Sequence, residues 1–399
     1  MKIAIYSGTY RRNQDGATRT LYELTDSLLR EGIETAIWSY SFTKQARRGL
    51  SLFKVPSIPL ILYPDYRISL PTPRLDRDLD EFAPDVIHIT VPDLMGIHFR
   101  RYARRRGIPV MSSFHTDFVS YLKSYRLGMF ENQSWKYLQW LYNGTDAVLA
   151  PTEEMARILR THGIRNVDIW SRGIHLDHFN PGFRCRKLRA SWKAEDRLVI
   201  LYAGRFVWYK DLEIFMQVYE KFAEQGLLSR VRFVLAGDGP IRDVLEERMP
   251  EAVFPGYLSG EDLSRVYASS DIFLFPSTTE TFGNVIQEAL ASGLPALVSD
   301  QGGCQEIATT SGAGMVCPAG DSGAFFRACR SLILNPAMKE RLRSRGLNWV
   351  RSRHWDRVNA AVIETYRNLA NDSTIKPAPM KKHSRQWRRD LKASTMDSN

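Results

Sequence analysis

Short apolar runs alternate with amphipathic stretches along almost all of this 399-residue chain, and few folds accommodate that rhythm. In the first half, Ile3–Ser7, Thr35–Tyr40, Val86–Thr90, Pro109–Ser113 and Ala147–Ala150 have the length and composition of strands. Between them, Arg19–Arg30, Asp93–Arg106 and Gln133–Tyr142 carry apolar residues at helical spacing. The second half repeats the scheme, with strands at Val199–Ala203, Arg232–Ala236, Asp271–Phe275 and Ala296–Ser299. Its helices are expected near Leu212–Phe222, Ile241–Arg248, Leu263–Ala268 and Asn284–Ala291. Such alternation builds parallel sheets covered on both faces, so two doubly wound α/β domains are expected. The chain is also too long for one ordinary core. The pattern breaks between Gly173 and Trp192, where Pro181, Gly182 and basic residues cluster, and this divides residues 1–180 from 181–352.

The segment TETFGNVIQEALASG, Thr279–Gly293, carries the chemistry. It places Glu280 on the loop leaving a strand and Glu288 in the next helix, whose apolar face is Val285, Ile286, Ala289 and Leu290. A glycine loop opening a helix offers free main-chain N–H groups and the positive end of the helix dipole, a place for phosphate or sugar hydroxyls. An ionised Glu accepts two hydrogen bonds from a cis-diol. Acids also serve as plain helix caps, but strand end, glycine turn, helix start and two acids together point to a nucleotide-sugar site. Arg205 and Lys210, in AGRFVWYKD, follow the strand Val199–Ala203, at the end of the sheet where ligands bind. A guanidinium forks two phosphate oxygens and an ammonium adds a point charge, which suits a diphosphate whose negative charge grows as it leaves. Asp15, Gly16 and Ala17 follow the first strand. Gly16 lets ligand atoms approach the N–H groups of a helix starting near Thr18. One glycine is not the GxGxxG fingerprint of dinucleotide binding.

These segments, in order, resemble the retaining glycosyltransferases of the family-four type, which have the GT-B fold. TETFGNVIQEALASG resembles their donor-binding motif, AGRFVWYKD their glycine–arginine–lysine signature, and VLAGDGP the next strand and its loop. FPGYLSGEDLSRVYASSDIFLFPS resembles the base-binding strand and the elements that lead to Glu280. In the first half, MKIAIYSGTY with DGATRTLYEL, SSFHTDF, and PTEEMARIL followed by WSRGI have counterparts. The likeness spans residues 1–368 and leans toward the branch of bacterial GDP-mannose-dependent alpha-mannosyltransferases and sulfoquinovosyl-diacylglycerol synthases.

The resemblance implies two Rossmann-like domains facing across a cleft, residues 1–180 binding the acceptor and 181–352 the nucleotide sugar. It implies that a helix at 353–370, with Val358, Ala361, Val362, Thr365 and Tyr366 on one face, crosses back to the first domain. By the same likeness His115 contacts the donor sugar, with Asp117 orienting it or binding acceptor. Glu280 holds sugar hydroxyls, Glu288 the ribose diol, and Arg205 with Lys210 the diphosphate. Asp15, Gly16, Phe282, Gly283 and Asn284 lie against the donor, and Gly256, Tyr257 and Leu258 on the base-contacting loop. Arg172 and Gly173 resemble a hinge-side motif, with His175 where that motif has Asp. The expected donor is GDP-mannose, with a UDP-sugar as the alternative. The expected acceptor is a hydroxyl on a glycolipid or lipid, with a soluble or polysaccharide-precursor acceptor as the alternative. No cofactor or metal is implied. Asp78–Leu79–Asp80 has the letters of a DxD metal motif, but RLDRDLDEF reads as a charged helical face.

The formal net charge is +11. Residues 1–180 hold 24 basic and 19 acidic side chains, and the tail 371–399 holds 7 and 3. That tail, rich in Lys, Ser and Pro, is expected to be disordered. The stretch HFRRYARRR sets Arg100, Arg101, Arg104, Arg105 and Arg106 among Phe99 and Tyr102, a basic surface suited to peripheral contact with anionic lipid. No run of eighteen apolar residues occurs, MKIAIYSG reads as a strand rather than a signal peptide, and the four cysteines lack metal spacing. A reducing cytoplasm, at the inner face of the membrane, is the expected setting. A non-enzymatic basic binder is the alternative of a different class, but no nucleic-acid motif supports it. Epimerisation or phosphorolysis would keep the fold and change the chemistry.

Overall fold

The computed structural model describes residues 1–11, 16–43, 47–60, 63–117, 119 and 128–372; Asp15 and the tail 373–399 lie outside these. Two wholly parallel sheets organise the chain. In the first, seven strands lie side by side, those starting at Val167, Ala147, Val110, Val86, Lys2, Glu34 and Leu50 in that order. In the second, six strands follow the order Val253, Val231, Leu198, Ile272, Ala296 and Gly314. Each sheet winds outward from its first strand and then reverses. The reversal falls between the Lys2 and Val86 strands in one sheet and between the Leu198 and Ile272 strands in the other. Ligands sit at such switch points, beyond the carboxyl ends of the strands.

The side-chain period of two is visible in the first strand. Ile3 and Ile5 pack on one face with Leu21, Leu24 and Leu28, while Ala4 and Tyr6 pack on the other with Trp38, Phe99 and Tyr102. The second domain has one continuous core, which includes Ile200, Phe215, Phe233, Phe273 and Leu297. The strands Leu50–Lys54, Val167–Ile169, Val253–Gly256 and Gly314–Cys317 have no counterpart in the apolar-run pattern. All four are sheet edges, only partly buried, and Val253–Gly256 contains Pro255, which an edge tolerates and a central strand does not. The helix Pro73–Phe82 carries Asp78 and Asp80 as a charged face: Asp78 faces Arg74, and Asp80 accepts from Tyr102 and Arg106.

The helix Trp355–Asn371 lies on the first sheet. Its buried face is Trp355, Asn359, Val362, Ile363 and Tyr366, so Ile363 replaces the exposed Ala361 of the sequence reading. Gly173 lets it dock, since a Cβ there would lie 2.6 Å from the Cα of Trp355. Among the described residues no helix is long and apolar enough to cross a membrane.

Candidate functional site

At the switch point of the second sheet, Lys210 follows the strand Leu198–Ala203 and Glu280 follows Ile272–Phe275. Lys210 Nζ donates to Glu280 Oε1 at 2.6 Å. Arg205 stands on the same loop as Lys210 and is exposed. The two loops are braced. Asp211, at φ 55°, caps the turn, and its carboxylate accepts from the N–H and hydroxyl of Thr278 at 2.9 and 2.8 Å. Thr279 donates to the carbonyl of Tyr209 at 3.0 Å, and Gly303 N–H to the carbonyl of Glu280 at 2.7 Å. Sequence reading passed over Asp211 because a carboxylate after Lys210 looks like an ordinary surface charge.

The helix Asn284–Ala291 opens at Gly283, whose φ of 92° belongs to the left-handed region. A Cβ at Gly283 would also stand 2.5 Å from Cys304 Sγ. The Phe282 ring is buried, packing with the core of the second domain with the Arg172 guanidinium over it. Glu288 is 3% exposed. It accepts from Arg19 Nη1 at 2.5 Å and from Tyr267 at 3.1 Å, so the first helix of one domain pairs with the carboxylate of the other. Arg19 is held above its ordinary range by that carboxylate. The walls touch nearby as well. A Cβ on Gly16 would fall 2.5 Å from Asn284 Nδ2, so the two helix N-termini meet closely there and a side chain at 16 would displace that of Asn284. Gly256 ends its strand at φ 82° and accepts from Gly237 N–H at 2.9 Å. Tyr257 is 71% exposed, while Leu258 packs on the core.

On the first domain, His115 follows the strand Val110–Ser113, and its carbonyl accepts from Thr281 at 3.0 Å, across the cleft. Both ring nitrogens meet protein groups: Nε2 lies 2.7 Å from Ser113 Oγ and Nδ1 lies 3.0 Å from Arg172 Nη2. Ser113 and Arg172 thus hold the ring from both sides. Burial, and then the charge of Arg172, hold His115 well below the ordinary histidine value. Arg172 is 4% exposed and bonds the carbonyl of Trp170, and its own carbonyl accepts from Gln287, the neighbour of Glu288. Burial lowers Arg172 to about 9. No single position announces this cluster in sequence, because its members come from distant segments.

The arginine-rich helix Leu94–Arg106 is partly neutralised. Arg105 and Arg106 bond Asp76 and Asp80 at 2.7 and 2.6 Å, and Arg100 stacks on Trp140 while bonding its carbonyl. Arg101 and Arg104 are exposed, as is Trp140.

Two family profiles match: Glycosyltransferase Family 4 over residues 14–178 and Glycosyl transferases group 1 over residues 186–349. A GDP-mannose-dependent alpha-mannosyltransferase of Mycolicibacterium smegmatis is 30% identical over 313 residues, 77% of this chain and 82% of that one. A sulfoquinovosyl transferase of Arabidopsis thaliana is 29% identical over 76% of this chain and 58% of its own length. In fold, the chain matches a sucrose-phosphate synthase from Thermosynechococcus elongatus with a TM-score of 0.76 at 18% identity, covering 92% of this chain and 98% of the other. With both halves matched in order and the two sheets meeting at their switch points, the chain belongs to the family-four glycosyltransferases of GT-B fold, enzymes that transfer a sugar from a nucleotide sugar.

Proposed function

We propose that this enzyme transfers a hexose, mannose from GDP-mannose, to a hydroxyl of a lipid or glycolipid, with retention at the anomeric carbon. The observation that carries the reading is the Lys210–Glu280 pair at the switch point, with Arg205 on the same loop. Arg205 and Lys210 would bind the diphosphate, Glu280 the sugar hydroxyls, and Glu288 the ribose diol in exchange for part of its bonding to Arg19. Gly283, Asn284 and Gly16 would lie against the donor, and Gly256 to Leu258 near the base. The anomeric C–O bond to the diphosphate breaks and a bond to the acceptor oxygen forms on the same face. The acceptor proton passes to a diphosphate oxygen, and the protein supplies positioning and positive charge. His115, with both ring nitrogens engaged, would present a fixed ring and its carbonyl rather than a base. The similarity to a GDP-mannose-dependent enzyme supports the donor.

The acceptor would be presented by an anionic membrane at the cytoplasmic face, met by Arg101, Arg104 and the exposed Trp140, with Arg100, Arg105 and Arg106 already engaged within the protein. Each basic side chain near such a surface contributes ~1 kcal/mol, so the contact is reversible. The test offers labelled sugar nucleotides with anionic or neutral liposomes carrying lipid extract, with and without EDTA. Expected are turnover of GDP-mannose into a lipid product on anionic liposomes, survival of activity in EDTA, and weaker sedimentation of R101Q/R104Q at equal donor affinity. Turnover of a UDP-sugar alone would change the donor, and equal activity on a water-soluble acceptor without liposomes would remove the lipid. Loss of activity in EDTA, restored by a divalent ion, would give the diphosphate charge to a metal.

A further inference from the structure

A buried polar chain runs from the C-terminal helix to the candidate site. Tyr366 Oη lies 2.6 Å from His88 Nδ1, His88 Nε2 lies 2.9 Å from Ser113 Oγ, and Ser113 Oγ lies 2.7 Å from His115 Nε2. The chain ends at Arg172 Nη2, 3.0 Å from His115 Nδ1. Tyr366 and His88 are fully buried and Ser113 is 1% exposed. Four separate segments contribute: two neighbouring strands, the linker between the domains and the last helix.

The direction of the chain follows from its last member. A guanidinium only donates, so His115 Nδ1 must accept and the ring proton sits on Nε2. That proton goes to Ser113 Oγ, whose hydroxyl then donates to His88 Nε2. His88 carries its own proton on Nδ1 and gives it to Tyr366 Oη. The reverse direction would set a ring N–H of His115 against the N–H of Arg172. Burial, which keeps His88 at about 3, agrees with two neutral rings.

The His115–Arg172 end of the chain reaches across the cleft to the second domain. The His115 carbonyl holds Thr281, next to Glu280, and the Arg172 carbonyl holds Gln287, next to Glu288. Arg172 itself has no carboxylate within ion-pair distance among the described residues, so its orientation depends on neutral acceptors: the Trp170 carbonyl and His115 Nδ1. We propose that Tyr366, His88 and Ser113 are positioning residues for the transfer reaction: they fix the tautomer and tilt of His115, and through it the Arg172 guanidinium and the two glutamate-bearing segments. The proposal rests on the transferase reading for its kinetic part only.

Two measurements test it. Nitrogen-15 spectra of histidine-labelled protein without donor should show His88 protonated on Nδ1 and His115 on Nε2. Tyr366→Phe, which keeps the ring volume, should shift the His115 resonances although residue 366 does not touch that ring. In kinetics, Tyr366→Phe and Ser113→Ala should lower kcat by about tenfold or more through misplacement, with the donor KM changed less than about twofold. His115 protonated on Nδ1, or His115 resonances unmoved in Tyr366→Phe, would overturn the chain whatever the enzyme acts on. The predicted spectra with kcat unchanged in both variants would overturn the positioning role. Failure of every donor would count against the transferase assignment of the site and leave the spectra to decide the chain.

Discussion

Lys210 and Glu280 hold each other at 2.6 Å, so each sets the geometry of the other. Both stand on strand-end loops and neither belongs to a hydrophobic core cluster, with side chains 14% and 25% exposed. Lys210→Ala and Glu280→Ala are each expected to lower kcat by roughly 10²–10³-fold, the scale for losing a group that stabilises developing charge. Groups that act as one unit are not additive, so the double variant should fall by at most about tenfold more. Steady-state rates alongside circular dichroism decide the matter. A folded Glu280→Ala protein that turns over normally would remove Glu280 from the site, and full additivity would separate the two roles. Glu288 is a different case. It is buried between Arg19 and Tyr267, and losing Arg19 would leave a buried carboxylate without its cation; because Arg19 is itself about one-third exposed, the stability cost falls below the ~3–5 kcal/mol of fully buried pairs.

The helix Asn284–Ala291 depends on how it begins. Gly283→Ala would place an alanine at φ 92°, which costs ~1–2 kcal/mol, and push its methyl into the buried Cys304 sulfur, which adds ~1–3 kcal/mol. Adding Cys304→Ala should recover the second part and not the first. Denaturant midpoints of the single and double variants measure the split, and full recovery would mean that φ strain is negligible there. The same helix illustrates what a sequence reveals. Its apolar spacing, its glycine and its two acids are local, so Glu280, Glu288 and the central strands can be read from runs of ten or fifteen residues. The four edge strands leave no such apolar run, because an edge is half exposed, and among them only Val253–Gly256 is marked, by the family likeness of FPGY. Phe282 reads as a ligand contact by its place in the motif, and no local pattern shows that its ring also packs with the core. Arg19, Arg172, His88 and Tyr366 acquire their roles from partners 25 to 278 positions away, and no local pattern encodes such a pairing.

For the molecule as a whole, the buried histidines make stability depend on pH in a definite direction. His88, fully buried, titrates at about 3 in the folded protein and near its ordinary 6.5 when unfolded, and His115 is displaced the same way. Below 6.5 the unfolded chain therefore binds protons that the folded chain refuses, and stability falls as pH falls. Each such group contributes up to ~1.4 kcal/mol per pH unit; His88 gives nearly all of this, and the half-buried His115 less. His175, raised mainly by its hydrogen bond to Glu23, acts on the other side of 6.5. Its contribution is complete below 6.5 and is lost as pH rises through its higher folded value. The two effects leave greatest stability near pH 6.5, with a decline between 6.5 and 5 that starts before most carboxylates titrate. Calorimetry from pH 8 to 5 should show that decline, and His88→Gln should remove about half of it or more while lowering stability at neutral pH. An unchanged acid slope in a folded His88→Gln protein would show that His88 takes up its proton in the native state. In that case the neutral ring tying Tyr366 to Ser113 would give way to the charged one below pH 6.5.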